Sequence, residues 1–153
     1  MSLVGCKKDG FLPFSDNRPT IPVNVDNQYD LFLAPTVSSS YATGTITIKL
    51  SIPANSGRTI KEITRVGTST SSAAPSVVQK STATGVFSNT PIPGSGNSVV
   101  FTTTYANYTT VTGAAVPLPT ASSALLSRFF YFLVTLDDGS TIIPQCVKVY
   151  VLP

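Results

Sequence analysis

The feature that constrains this chain most is a strict two-residue alternation between residues 44 and 53. Apolar side chains occupy every second position, at Ile46, Ile48, Leu50 and Ile52. The positions between them are polar, at Thr45, Thr47, Lys49 and Ser51. Because successive side chains of a β-strand point to opposite faces, this pattern predicts a strand with one face buried and one face in water. Such half-buried strands are typical of antiparallel sheets, so the pattern favours an all-β fold.

Several other segments are rich in β-branched and aromatic residues and are predicted to be strands. They span residues 21–25, 29–33, 59–66, 98–105, 128–136 and 141–152. Pro22 makes the first of them an interrupted edge strand. In 59–66 the apolar residues are three positions apart, which indicates either a bulge or a single helical turn.

The segment 128–136 is apolar on both faces, which predicts a central strand. The turn Asp137-Asp138-Gly139-Ser140 follows it, because Asp-Gly favours the backbone of hairpin loops. Residues 141–152 are expected to return along it, with Pro144 at a bulge or edge.

The remaining segments give weaker signals. The strand topology between residues 67 and 97 stays open, with apolar anchors at Val77, Val78, Val86 and Phe87 that suggest a short strand or hairpin. Residues 106–111 are expected to continue the preceding strand or to turn back. Residues 121–127 are predicted to form one helical turn with Thr120 as its N-cap.

About seven to nine short antiparallel strands within residues 21–153 resemble an immunoglobulin-like or fibronectin type III-like β-sandwich. In this resemblance 128–136 takes the place of strand F and 141–152 that of strand G. Tyr131, near the start of strand F, would make the corner hydrogen bond of such folds. A Cys–Trp–Cys signature is absent, which excludes a true antibody-type domain.

The N-terminus carries a second motif, Leu3-Val4-Gly5-Cys6. An aliphatic residue, two small or aliphatic residues and a cysteine form the site at which lipoprotein signals are cleaved, and the cysteine thiol then carries a lipid. Residues 10–20 are interrupted by Gly10, Pro13, Asp16, Asn17 and Pro19, which predicts a flexible tether over residues 1–20.

The sequence Cys6-Lys7-Lys8-Asp9 resembles the start of mature lipoproteins of the Bacteroidetes. The resemblance implies a lipid on Cys6 and a protein of the cell envelope that is anchored to the outer membrane. Asp9 alone does not decide between the periplasmic and the cell-surface face, since acidic residues after the cysteine direct surface export in some of these bacteria.

Composition argues against catalysis and against nucleic-acid binding. The chain has no His and no Trp, and the lack of His excludes Ser-His-Asp and Cys-His catalysis and His-ligated metals. One Glu and six Asp leave little for acid–base chemistry. We therefore expect no enzyme activity and no cofactor. The net charge is +3, but the basic residues are scattered, whereas nucleic-acid binding needs them concentrated on one surface.

The two cysteines are not expected to pair. Cys6 precedes a tether, while Cys146 lies in a predicted strand. With Cys6 lipidated, Cys146 is predicted to be a lone buried thiol that packs as a small hydrophobic residue.

Two groups of residues are weak binding candidates. Asp26, Asn27 and Asp30 carry the oxygen ligands that Ca²⁺ prefers, but they lack the spacing of a Ca²⁺ loop, so a polar turn is the favoured interpretation.

The second group is aromatic. Tyr41, Tyr105 and Tyr108 would present rings to a sugar, although core or edge packing is the commoner use of tyrosine. Asp137 and Asp138 resemble a carboxylate pair, but turn formation accounts for them.

The leading hypothesis is a non-catalytic envelope lipoprotein that binds a protein or glycan partner, or mediates adhesion, through loops or a sheet edge. The alternative is a carbohydrate-binding accessory lipoprotein of a nutrient uptake system.

Overall fold

A computed structural model describes residues 19–32, 34–119 and 124–153. This part of the chain contains twelve strands and one α-helix. In chain order they are β1 Asn24–Val25, β2 Gln28–Phe32, β3 Ala34–Ser40, β4 Thr45–Ser51, β5 Ile60–Ser69, β6 Val86–Ser88, β7 Ile92–Pro93, β8 Ser98–Thr104, α1 Tyr105–Thr112, β9 Ala124–Leu125, β10 Phe129–Leu136, β11 Thr141–Ile142 and β12 Lys148–Leu152. The all-β prediction is confirmed. Most of the predicted tether, residues 1–18, lies outside the described residues.

The strands form a two-layer sandwich. One layer is the sheet β1-β4-β8. The other layer combines the sheet β11-β10-β5-β6, in which β7 also pairs with β5, with the sheet β2-β3-β12-β9. Phe130 and Val147 join these two sheets, since each backbone N–H donates to the carbonyl of the other at 2.9 Å. The facing sides of the layers enclose one hydrophobic core.

The alternation that predicted β4 is fully realised in the structure. Ile46, Ile48, Leu50 and Ile52 are buried in the core, and Lys49 is exposed on the other side. Strand β8 repeats the pattern, with Val99 and Phe101 inward. Rings from both layers meet here, because Phe101 lies 5.5 Å from Phe130 and from Phe132, measured between ring centroids.

Strand β10 is central, as predicted. It pairs antiparallel with β5 on one side and with β11 on the other. Phe130, Phe132, Val134 and Leu136 are buried in the core between the layers. Tyr131 is also buried, on the opposite face of the strand. Both faces of β10 are therefore covered.

Strand β5 contains the bulge that the three-residue spacing suggested. Leu133 pairs with Arg65 and Val134 with Ile63, so Thr64 has no partner in the register. Because an extra residue shifts the alternation by one, Ile63 and Val66 both face the core. The hydroxyl groups of Thr64 and Thr135 are 2.5 Å apart beside this bulge.

The open region 67–97 resolves into short pieces. After β5, a 3₁₀ turn at Pro75–Val78 buries Val77 and Val78 against the outer face of β5 and β10, and β6 then pairs with β5. A Cβ atom at Gly67 would lie 2.8 Å from methyl groups of Val77 and Val78. Glycine is therefore required there, because only a residue without a side chain lets the turn approach the strand so closely.

The expectation for residues 106–111 is wrong, because they form α1 rather than a strand. The Thr104 hydroxyl accepts from the N–H of Asn107 at 3.1 Å, which caps the first turn. Gly113 ends the helix with a φ of 68°, in the left-handed region that favours glycine.

The helical turn predicted for residues 121–127 is not present in residues 124–127, which are the part of this range that the structure describes. Ala124 and Leu125 form strand β9, which pairs antiparallel with β12. Thr120, the predicted N-cap, lies outside the described residues.

The predicted return strand 141–152 is broken in two, which corrects the sequence-based prediction. Only Thr141 and Ile142 pair with β10 as β11. Pro144, which has no N–H for a ladder, lies in the irregular segment that follows. After it, β12 pairs parallel with β3 over five residues, so the strands are not all antiparallel.

The core predicts the effect of one substitution. Phe132→Ala should lower the free energy of unfolding by about 3–5 kcal/mol, because it deletes a fully buried ring that packs on Phe101. Denaturant unfolding measures this change. The control is Val100→Ala on β8, whose side chain is 46% exposed and whose loss should cost about 0.5 kcal/mol or less. Equal effects of the two substitutions would contradict the assigned core.

Candidate functional site

Two of the three candidate tyrosines form a pair at one end of the sandwich. Tyr41 lies in the turn between β3 and β4 and is 40% exposed, and its ring centroid is 5.9 Å from that of Tyr105 at the start of α1. The Tyr105 hydroxyl donates to the Ser39 hydroxyl at 2.7 Å. Partial burial raises the pKa of Tyr105, and the Ser39 bond opposes that change.

The third candidate, Tyr108, does not join this pair. It is fully buried in the core, and its ring packs 6.0 Å from that of Phe130. Its hydroxyl is buried without a hydrogen-bond partner among the described residues. Tyr108 is therefore a packing residue, and the three tyrosines do not share a surface.

The calcium candidates are used by the fold. The Asn27 amide group donates to the Thr47 carbonyl at 2.8 Å and accepts from the Lys49 N–H at 2.9 Å, so it extends the pairing along β4. Asp26 accepts from the Ser51 hydroxyl at 2.5 Å. Asp30 lies in β2 and is exposed. No group of three metal-binding side chains occurs within residues 19–32, 34–119 and 124–153.

Cys6, the predicted site of lipid attachment, lies outside the described residues. Cys146 is buried, as predicted, in a small cluster beneath the segment 71–78. Its thiol donates to the Ser72 carbonyl at 3.6 Å, and burial raises its pKa. A protonated buried thiol is a poor nucleophile, so its role is packing.

Tyr131 belongs to the same cluster, which we call the outer cluster and which comprises Ala34, Val77, Val78, Tyr131 and Cys146. Its hydroxyl donates to the Ser71 carbonyl at 2.6 Å and accepts from the Ala74 N–H at 3.1 Å. The predicted corner bond to a residue a few positions upstream is therefore wrong, because these partners lie about sixty residues earlier in the chain. These hydrogen bonds instead fasten residues 71–78, which we call the covering segment, onto β10. Burial raises the pKa of Tyr131.

The carboxylates of the last hairpin are turn residues, as predicted. Asp138 accepts from the N–H and the hydroxyl of Ser140 at 2.9 and 2.6 Å, and these bonds lower its pKa. Arg58 forms an ion pair with Asp138, with 2.9 Å between Nη2 of Arg58 and Oδ2 of Asp138. Asp137 accepts from the Thr59 N–H at 3.3 Å.

One cleft brings a charged side chain together with many hydroxyl groups. It has a volume of about 280 Å³ and is lined by residues 68–70, 84–86 and 111–112 together with Val77 and Arg128. These are the end of β5, the start of β6, the end of α1 and the residue before β10. We call it the Arg128 cleft.

The floor of the Arg128 cleft is held by the backbone. The Thr68 N–H donates to the Gly85 carbonyl at 2.7 Å. Gly85 has a φ of 99°, and a Cβ there would lie 2.6 Å from the Thr68 carbonyl oxygen. Only glycine therefore permits this approach of the two segments.

Arg128 is the notable residue of the cleft. Its Nε atom is buried and has no hydrogen-bond partner among the described residues. No acidic residue lines the cleft. A buried donor without a partner is costly, and among the described residues only the Tyr108 hydroxyl shares this property.

A larger groove of about 640 Å³ lies between residues 19–23 and residues 142–145. Its lining is mostly apolar and holds no charged side chain. It therefore offers no charged group that would hold an ionic ligand.

No protein-family profile, curated protein or solved structure matches this chain. None of the helices in the described part of the chain has the length and apolar character needed to cross a membrane.

Sequence reasoning missed the Arg128 cleft. Its lining comes from five separate pieces of the chain spread over about sixty residues, and Arg128 itself is one of several scattered basic residues. Only the hydroxyl-rich composition, with 19 Ser and 21 Thr, gave a general hint of such a surface.

The outer cluster predicts how stability depends on pH. Burial raises the pKa of Tyr131 and Cys146 above their usual values of 10.0 and 9.0. From about pH 9 upward the unfolded chain therefore loses protons that the folded chain keeps, so stability present below this range falls as pH rises. The variant Tyr131→Phe with Cys146→Ala should lose less stability than the wild type between pH 9 and pH 11 in denaturant unfolding.

Val100→Ala is the control for this experiment, because this exposed side chain has no titratable group and its removal should leave the slope unchanged. Parallel pH profiles for the wild type and the double variant would contradict the role assigned to the outer cluster.

The hydrogen bonds of Asn27 predict the response to metal removal. EDTA and added Ca²⁺ should leave the melting temperature unchanged, because this amide already bridges to β4. Thermal unfolding followed by circular dichroism tests this. A drop of more than about 5 °C in EDTA, equivalent to about 1 kcal/mol, would show that Asp26, Asn27 and Asp30 bind a metal after all.

Proposed function

We propose that this chain is a non-catalytic lipoprotein of the cell envelope, anchored to the outer membrane by a lipid on Cys6. In this proposal a rigid immunoglobulin-like sandwich presents a binding site to a protein or glycan. The motif Leu3-Val4-Gly5-Cys6 and the polar residues after it support the anchoring.

The order of the strands supports an immunoglobulin-like arrangement. In such folds, strands A, B and E share one sheet and strands C, F and G the other. Here β1, β4 and β8 form one layer, while β5, β10 and β12 lie in the other. The parallel pairing of β3 with β12 links the beginning of the domain to its last strand.

The observation that carries the binding function is the Arg128 cleft. A rigid scaffold needs only a few convergent polar groups to hold a ligand, and this cleft combines a guanidinium group with several hydroxyl groups. The absence of His from the sequence and the presence of a single Glu argue for binding rather than catalysis at such a site.

The alternative is a carbohydrate-binding accessory lipoprotein of a nutrient uptake system. The ring pair Tyr41 and Tyr105 favours it, because the exposed ring of Tyr41 beside the half-buried ring of Tyr105 offers contact area to a sugar. Binding to a glycan array that is lost in Tyr41→Ala would support this alternative. Capture of a specific envelope protein with no glycan binding would favour the protein partner.

Membrane attachment tests the leading proposal. The chain should be expressed behind a lipoprotein signal sequence in a Gram-negative bacterium, and its distribution between membrane and soluble fractions should be measured. Cys6→Ser should move the protein to the soluble fraction, because the variant has no thiol at position 6 to carry the lipid.

Cys146→Ala is the matched control, since it removes the other cysteine and should leave the protein in the membrane fraction. The wild type and Cys146→Ala should incorporate labelled palmitate, and Cys6→Ser should not. Sedimentation of Cys6→Ser with membranes would overturn the lipoprotein assignment.

A further inference from the structure

The Arg128 cleft contains a hydrogen-bond donor that the described residues leave unused. The guanidinium group has five N–H donors in a planar fork and stays charged at any physiological pH. Its Nε is buried without a partner among the described residues, and no ion pair of Arg128 occurs there. Because no carboxylate in the lining of the cleft pairs with the guanidinium group, its charge is available to an anionic ligand.

The chemistry of the fork selects the ligand group. The two terminal Nη groups of a guanidinium present parallel N–H bonds that together match the two oxygens of a carboxylate, whereas the buried Nε has no surface for a ligand to contact. Arg128 is the one cation in the lining, and no carboxylate of the protein lines the cleft to compete with the ligand. A single cation balances a ligand with one negative charge better than a phosphate with two.

The rest of the lining selects what the carboxylate is attached to. The side chains of Ser69, Thr70 and Thr84 offer hydroxyl groups, and those of Val77, Val86 and Val111 offer apolar surface. Hydroxyl groups beside aliphatic surface match a sugar ring, which presents hydroxyls at its edge and C–H groups on its faces. The volume of about 280 Å³ suits one such ring.

We propose that the Arg128 cleft binds an acidic sugar, with the carboxylate of a uronic acid on the Arg128 fork and the ring hydroxyls on the Ser and Thr side chains. This inference rests on the proposed binding function and names its ligand class. It does not depend on lipid attachment, because the cleft belongs to the folded domain.

Isothermal titration calorimetry on the soluble Cys6→Ser protein tests the proposal. The probes are glucuronate and galacturonate, with glucose as the neutral sugar, acetate as the carboxylate without a ring, and inorganic phosphate as the simple anion. At least one uronate should bind at millimolar concentration or below, and at least about tenfold more tightly than glucose, acetate or phosphate.

Variants tie this binding to the fork. Arg128→Lys keeps the charge and loses the bidentate geometry, so it should weaken uronate binding about tenfold, and Arg128→Gln should weaken it further. Arg58→Gln is the matched control, since it removes one exposed arginine charge that lies before β5 and pairs with Asp138, and it should change the affinity less than twofold. If Arg128→Gln does not fold, Thr70→Phe replaces it, because this exposed position lines the cleft and a larger ring there should block the ligand.

Three results would overturn the proposal. If glucose bound as tightly as the uronates, the carboxylate would play no part in recognition. If acetate or phosphate bound as tightly, the cleft would be an anion site that does not recognise a sugar. Binding of neither uronate at millimolar concentration would reject the site. None of these results would alter the fractionation of Cys6→Ser, so failure of this inference and failure of the lipoprotein assignment remain distinguishable.

Discussion

The antiparallel pairing of β10 with β5 is the interaction on which the rest of the molecule depends. It joins eight residues of β10 to β5 and places large side chains on both sides of the sheet. The inner face supplies Phe130 and Phe132 to the core shared with β4 and β8. The outer face supplies Tyr131, to which the covering segment is bonded. A single strand pair therefore organises the core, the outer cluster and, through Arg128 at its start, the wall of the cleft.

The covering segment gives the outer face a second role. A sheet face in a small sandwich usually carries polar residues toward water. Here Val77 and Val78 shield Tyr131 and Cys146 instead, and Gly67 gives the space that this packing needs. Val77 also lines the Arg128 cleft, so the same packing that buries the outer cluster fixes one side of the candidate site.

What the sequence predicts well is local. The alternation in β4 and the two apolar faces of β10 were read directly, because a strand repeats every two residues wherever it pairs. The helix α1 was missed because its Thr, Tyr and Val residues favour strands, although Thr104 and Gly113 at its ends are helix-capping residues.

Features that depend on distant partners could not be predicted in this way. Strand β12 pairs with β3 rather than with β10, and the paired residues of β3 and β12 are more than a hundred positions apart in the sequence. The Arg128 cleft likewise joins the ends of several elements, and no spacing in the sequence marks it.

The parallel pairing of β3 with β12 also has a mechanical consequence. A pull on the chain before β3, opposed by a pull on the chain after β12, acts along these strands in opposite directions. The hydrogen bonds between residues 36–40 and 148–152 then carry the load together, in shear, rather than opening one at a time. A load applied between these two points of the chain would therefore be resisted by the whole strand pair at once.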